Sequence, residues 1–260
     1  MFITSDDRFV LIVGHSKEIR VIKIDSGQEV RMLSGHNNMV LSVAVSPDGR
    51  YAISGSNDKE IKFWNFLTGM EIASFKDAHK GRVTNVLITA DGKYAISSSD
   101  DWSTIFWELE TFQPIYRLLG HGGNIYSACL SPDGHALLCG YESGRITIWD
   151  IKKILSRSNN YSPEYRSGQG AYTKGLLFST DKQYLYSWDY DLADIKIWNA
   201  NLQVTEKTIK INSTGRIEAG EIFPNGNHFA INIKLSGTNV NSIEIWDVRN
   251  WEKRITIQNT

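Results

Sequence analysis

A chain of 260 residues with 41% hydrophobic and 22% charged residues has the balance of an ordinary soluble globular protein. Its net charge of −1 gives no general attraction to nucleic acid or to an anionic membrane, so neither is an expected partner. The longest uncharged apolar stretch, around Met39–Val45, is too short to span a bilayer, and the opening MFITSDDRF has neither the basic nor the long apolar part of a signal peptide. Cys129 and Cys139 cannot make a disulfide framework and are read as buried free thiols on adjacent strands. The expected setting is intracellular, cytoplasmic or nuclear, and not secreted.

In chain order, Arg8–Ile12 aligns with Arg50–Ser54, which sets Met1 opposite Val43, inside an innermost strand. Gly35 to Asn65 then carries three alternating runs, Val40–Val45, Tyr51–Ser54 and Ile61–Phe63. They are broken by the turn Ser46-Pro47-Asp48-Gly49 and closed by Trp64-Asn65. Alternation with turn residues at each break predicts antiparallel strands. Trp64 has counterparts at Trp107, Trp149, Trp198 and Trp246, one every 42 to 49 residues. Self-similarity at that period predicts radially repeated four-stranded sheets. The repeats fall at about 1–33, 34–76, 77–119, 120–166, 167–210 and 211–260, within one domain spanning 1–260. Between 151 and 170 the chain lengthens into a Ser- and Asn-rich surface loop, with a short helix expected at Ile151–Leu155. Arg254–Gln258 reads as an outermost strand.

Repeats two to four open on Gly35-His36, Ala78-His79 and Gly120-His121 and close on Trp64-Asn65, Trp107-Glu108 and Trp149-Asp150. These residues resemble the WD-repeat family along nearly the whole chain. The resemblance implies an all-β propeller of four-stranded antiparallel blades. Six repeats are visible and the first is incomplete, so a six-bladed ring and a piece of a seven-bladed one both remain open. An open arc would expose apolar blade faces. The family pattern also implies a hydrogen-bonded set inside each blade: His36, Ser54, Asp58 and Trp64 in the second, and His79, Ser97, Asp101 and Trp107 in the third. The fourth keeps His121 and Trp149 but has Cys139 and Ser143 at the Ser and Asp positions. The fifth keeps Ser187, Asp191 and Trp198 with Gln169 for His. The sixth keeps Trp246, with Ser213 for His and Asn232 for Ser. The first has Ile22 where Trp belongs.

Ser54, His36 and Asp58 are also the ingredients of a hydrolytic triad, but a Ser under an indole lacks the exposure a nucleophile needs. Gly170 to Gly175 has phosphate-loop spacing with Leu176 where Lys is required. No catalytic residue, metal site or cofactor is expected; a propeller enzyme would need charged groups converging in a central channel.

The expected function is non-catalytic binding of a peptide or protein domain on the propeller face. Trp102, Tyr141, Trp188 and Tyr190 fall in the turns before Trp-bearing strands of consecutive repeats and would crowd one sector. Arg82, Tyr126, Tyr172, Lys174 and Arg216 align with the channel mouth, as do Met39, Leu41, Thr84, Asn124 and Glu218. Trp and Tyr dominate binding hot spots. An alternative is a substrate receptor docking on a cullin ubiquitin-ligase adaptor. Trp246-Asp247-Val248-Arg249 resembles that docking box, although Val240 stands where the longer box has Asp.

Overall fold

The alternating runs form strands throughout a computed structural model that describes residues 1–119, 123–131, 133–156, 164–167, 173–181, 183–189, 194–199, 205–211, 215–223, 226–235 and 241–259. Blade one holds β1 (Phe2–Ile3), β2 (Phe9–Ile12), β3 (Ile19–Lys23) and β4 (Glu29–Leu33). Blade two holds β5 (Val40–Val45), β6 (Tyr51–Ser56), β7 (Ile61–Asn65) and β8 (Glu71–Phe75). Blade three follows with β9 (Val83–Ile88), β10 (Tyr94–Ser99), β11 (Ser103–Glu108) and β12 (Pro114–Leu119). Blade four has β13 (Ile125–Leu130), β14 (Ala136–Tyr141), β15 (Arg145–Asp150) and, after the helix α1 (Ile151–Leu155), β16 (Glu164–Ser167). Blade five is β17 (Thr173–Phe178), β18 (Tyr184–Asp189), β19 (Asp194–Asn199) and β20 (Thr205–Lys210). Blade six is β21 (Gly215–Ile222), β22 (His228–Leu235), β23 (Asn241–Asp247) and β24 (Glu252–Asn259).

Each blade is one antiparallel sheet whose strands pair in sequence order, the all-β propeller architecture. The helix expected at 151–155 is α1, capped by the Asp150 side chain, which accepts from the Lys153 N–H. By its contacts the chain divides into two compact units, Met1–Ala128 and Cys129–Thr260.

Turns between the first two strands of a blade share one device. Ser46 donates its hydroxyl to Asp48 and accepts the N–H of Tyr51, while Asp48 accepts the N–H of Arg50. The arrangement recurs at Thr4, Asp6 and Phe9, at Thr89, Asp91 and Tyr94, at Ser131, Asp133 and Ala136, and at Ser179, Asp181 and Tyr184. A short polar side chain satisfying nearby backbone is what such turns require.

Strand periodicity gives each sheet two faces. The front carries positions such as Ile61 and Phe63, the back positions such as Lys62 and Trp64. Fronts meet backs. Leu11, Ile19 and Val21 of blade one pack with Val43, Trp64 and Phe66 of blade two. Ile61 and Phe63 pack with Val86, Ala95 and Trp107 of blade three. In the second unit, Leu138 and Ile146 of blade four meet Leu176, Leu185 and Trp198 of blade five, whose Ile195 and Ile197 meet Ile217, Phe229 and Ile231 of blade six.

Candidate functional site

Among the described residues, blades two and three hold complete polar relays in their interiors. In blade two the Trp64 indole N–H donates to Ser54 Oγ at 2.8 Å, Ser54 Oγ lies 2.7 Å from His36 Nε2, and His36 Nδ1 lies 2.9 Å from Asp58 Oδ2. An indole only donates and an ionised carboxylate only accepts. The direction is therefore fixed: Ser54 donates to Nε2 and Nδ1–H donates to Asp58. Blade three repeats this with Trp107 to Ser97 at 2.9 Å, Ser97 to His79 Nε2 at 2.9 Å, and His79 Nδ1 to Asp101 at 3.2 Å. Ser54 and Ser97 are fully buried, so neither presents a nucleophile to a substrate carbonyl.

The degraded repeats solve the indole's need differently. In blade five Trp198 still donates to Ser187 at 2.8 Å; His121, Gln169 and Asp191 lie outside the described residues. In blade four Cys139 stands opposite Thr147, and Trp149 donates to the Thr147 hydroxyl at 3.0 Å instead. Blade six shows the same shift: Trp246 donates to Glu244 Oε2 at 3.1 Å, two residues back on its own strand. The Ser-equivalent position there is Ile231, paired with Glu244, rather than Asn232 as read from the sequence. An aliphatic side chain cannot accept, so the carboxylate takes its place. Blade one puts Ile12 and Ile22 at the Ser and Trp positions and has no relay.

His36, Asp58 and Glu60 bring ligand atoms within 4.8 Å of one another. Those atoms are already engaged. Asp58 accepts the N–H groups of Asn37 and Glu60, and Glu60 lies 3.5 Å from Lys62 Nζ.

These environments set a pH dependence. Burial lowers the His36 pKa below 6.5 despite Asp58, so the ring is neutral in the folded chain. Burial also works against ionised Asp58 and Asp101. Around Asp58 the N–H donors of Glu60 and Asn37 and the His36 ring outweigh it; around Asp101, His79 and Ser103 do. Both carboxyls fall below their ordinary 3.8. In each case the unfolded chain binds the proton more tightly, so stability is full above the unfolded pKa and is lost on acidification. The urea midpoint is therefore expected to begin falling near pH 6.5 through His36 and to fall again below pH 3.8 through the two aspartates. His36→Gln should remove the His36 contribution to the first decline.

The residues expected on the binding face are distributed unevenly. Trp102 is 52% exposed, at the tip of the β10–β11 turn. Its backbone has φ 65°, the left-handed region, where the matching turns have Lys59 at 73° and Gly144 at 72°. Its indole N–H donates to Asn124 Oδ1 at 3.1 Å. Half-exposed Arg82 donates from Nε to Asp100 Oδ2 at 2.5 Å. Tyr126 is half-buried on β13. In the second unit Lys174 Nζ lies 3.8 Å from Glu218, and Arg216 is half-buried. Tyr172 and Tyr190 lie outside the described residues.

Tyr141 and Trp188 correct the sequence reading. Both end up inside strands β14 and β18 and are 0% and 7% exposed. Tyr141 shares the Thr147 hydroxyl with Trp149, at 3.0 Å. Trp188 is paired with Gly175, and its ring fills the space that a Cβ would take there. Neither ring is surface for a partner.

Arg249, 68% exposed, does not project freely. Its guanidinium grips Asp247 with Nε at 3.0 Å and Nη2 at 2.7 Å, the bidentate geometry of a strong charged pair.

The model of the family described as "WD domain, G-beta repeat" matches residues 27–65, 69–108 and 112–150. These three stretches are WD repeats. The three matched stretches end on Trp64-Asn65, Trp107-Glu108 and Trp149-Asp150, the closing pairs of blades two, three and four. Among similar proteins, apoptotic protease-activating factor 1 of Homo sapiens is 27% identical over 213 residues, 81% of this chain and 17% of that protein. The small ribosomal subunit protein RACK1 of Caenorhabditis elegans is 36% identical over 80 residues, 27% of this chain and 25% of that protein. Guanine nucleotide-binding protein subunit beta-1 of Nicotiana tabacum is 26% identical over 226 residues, 84% of this chain and 58% of that protein. The chain thus spans less than two thirds of the length of each. Among the described residues no helix is long and apolar enough to cross a membrane.

Proposed function

We propose that this chain is an intracellular, non-catalytic interaction module that holds a peptide or domain of another protein against the Trp102 face. The observation that carries the reading is Trp102 itself. A bulky residue in the left-handed region costs roughly 1–2 kcal/mol, and such strain tends to be kept where a side chain has work to do. Here it holds an indole half out of the surface with its N–H on Asn124, and exposed Arg82 is held by Asp100, two residues before it in the chain. Trp and Arg are among the residue types most enriched in binding hot spots. The buried serines of the relays and the bidentate hold of Asp247 on Arg249 favour this over catalysis or docking through Arg249.

Trp102→Gly separates binding from folding. Glycine accepts the turn's backbone, so the melting temperature should stay level or rise. Partners recovered by affinity purification and quantitative mass spectrometry should fall ~30-fold, the loss of a hot spot of about 2 kcal/mol. Undiminished recovery would retire the proposed face.

A further inference from the structure

We infer that the outer edge of β8, in blade two, is a second binding surface, on which an extended segment of a partner protein adds as a further strand and sets an acidic residue against Lys76. β8 is the outermost strand of its sheet. An outermost antiparallel strand bonds to its neighbour through alternate residues and turns the N–H and C=O groups of the others outward. Such an edge accepts another extended chain unless charge, proline or a bulge guards it.

β8 lacks the guard that the other outer strands carry. By sequence β4 has Arg31, β12 has Pro114 and Arg117, β16 has Arg166, β20 has Lys207, and β24 has Lys253 and Arg254. β8 reads Glu71-Ile72-Ala73-Ser74-Phe75. Its one charge is drawn back onto the sheet: Glu71 accepts from Lys62 Nζ at 2.9 Å, and the same Nζ donates to Ser74 Oγ at 3.0 Å. A bulge opposite the Trp position is shared with blade three and with blade five, so it does not set β8 apart. The approach to this edge is apolar as well. Leu67, Met70 and Ile72 are 65%, 69% and 41% exposed. The hairpin bond that Asn65 N–H makes to the Met70 carbonyl is made to Gln28 in blade one and to Gln113 in blade three, and Asp25 and Glu110 stand there at the place of Leu67.

A groove of about 750 Å³ lies between β8 and β12, within the size range of ligand sites. Phe75, Ile105, Trp107 and Ile115 give it an apolar lining. Lys76 and Arg117 also line it, with one carboxylate, Asp77. Arg117 already donates to Ser103 and to the Ala78 carbonyl and lies 3.9 Å from Asp101. Lys76 is exposed directly after β8 and makes no ion pair among the described residues. A row of outward main-chain donors and acceptors selects a strand, the apolar groove selects a side chain alternating off it, and the unmatched lysine selects a carboxylate. Strand addition to a sheet edge combines these three kinds of contact.

Selection of a random peptide library displayed on phage against the wild-type chain tests this. It should enrich peptides with alternating apolar residues and an Asp or Glu. Measured by fluorescence anisotropy, their synthetic forms should lose ~10-fold in affinity for each backbone N-methylation in one register and little in the other, as strand addition requires. Ile72→Lys installs the missing guard at an exposed position, and Lys76→Glu reverses the exposed charge. Each should weaken the peptides ~10-fold or more at an unchanged melting temperature, whereas Trp102→Gly should not. The proposal falls if no peptide is selected, if none responds to either edge variant, or if N-methylation is tolerated at every position. It falls also if the wild-type chain dimerises in sedimentation velocity and Ile72→Lys abolishes the dimer, since the edge then belongs to a second copy. Should Ile72→Lys fail to fold, Lys76→Glu and the N-methyl series decide.

Discussion

Trp107→Ala is expected to lower the unfolding free energy by ~3–5 kcal/mol, as deletion of a buried Trp does elsewhere. Trp107 is 1% exposed and packs edge-on against Phe63 at 5.7 Å and tilted against Phe75 at 4.9 Å, so its removal opens the seam between blades two and three. Two further variants separate packing from the polar relay. Trp107→Phe keeps an aromatic ring and loses one donor, while Ser97 still donates to His79; the cost of that lost hydrogen bond should be about 1 kcal/mol. Ser97→Val is nearly the same size but strands both the Trp107 N–H and His79 Nε2 in a buried site, at roughly 1–3 kcal/mol for each unpaired group. In urea denaturation Trp107→Ala and Ser97→Val should each cost more than Trp107→Phe. A Ser97→Val protein as stable as wild type would show that the relay contributes nothing beyond shape.

The second large effect lies in blade five. Trp188→Ala should cost ~3–5 kcal/mol through the cavity it leaves against Phe229. Gly175→Ala should destabilise by about 1–3 kcal/mol by overpacking, because an added Cβ would stand 1.9 Å from the Trp188 ring. Once Trp188 is Ala, the Gly175→Ala penalty should vanish, since the atom it collides with is gone. The double-mutant cycle therefore reports a coupling on the order of the whole single-mutant cost of Gly175→Ala, as expected for residues in contact. Additive effects would mean that the ring does not occupy the space above Gly175.

The blade pattern was legible because it repeats. Five Trp residues in register and three alternating runs per repeat specify strands, and the His, Ser, Asp and Trp of blades two and three pair as the resemblance implied. What was not legible depended on residues across the sheet. Trp188 reads as a turn aromatic until its partner strand is seen to supply glycine at 175, where Ser42 faces Gly55 in blade two. A large side chain opposite the smallest one was the available signal. Tyr141 was misplaced for a similar reason: it is the last residue of β14, and Thr147 waits for its hydroxyl. Thr147 and Glu244, the substitute acceptors, sit two residues before their Trp. A polar residue there in the very repeats that lack the strand serine was readable in principle. Trp102 was found because a Trp in a tight turn is conspicuous, but its left-handed backbone and its bond to Asn124 required coordinates.

Exchange of the indole N–H protons, followed by 1H–15N spectroscopy after transfer to deuterated water, tests the central claim most directly. Trp64, Trp107 and Trp198 should keep their indole signals for long periods, since each N–H is buried on a serine hydroxyl. Trp102 should lose its signal quickly, since its ring stands half in solvent. Equal and rapid loss at Trp64, Trp107 and Trp102 would mean that the indoles are not enclosed donors, and both the blade interiors and the exposed contact built beside them would have to be abandoned.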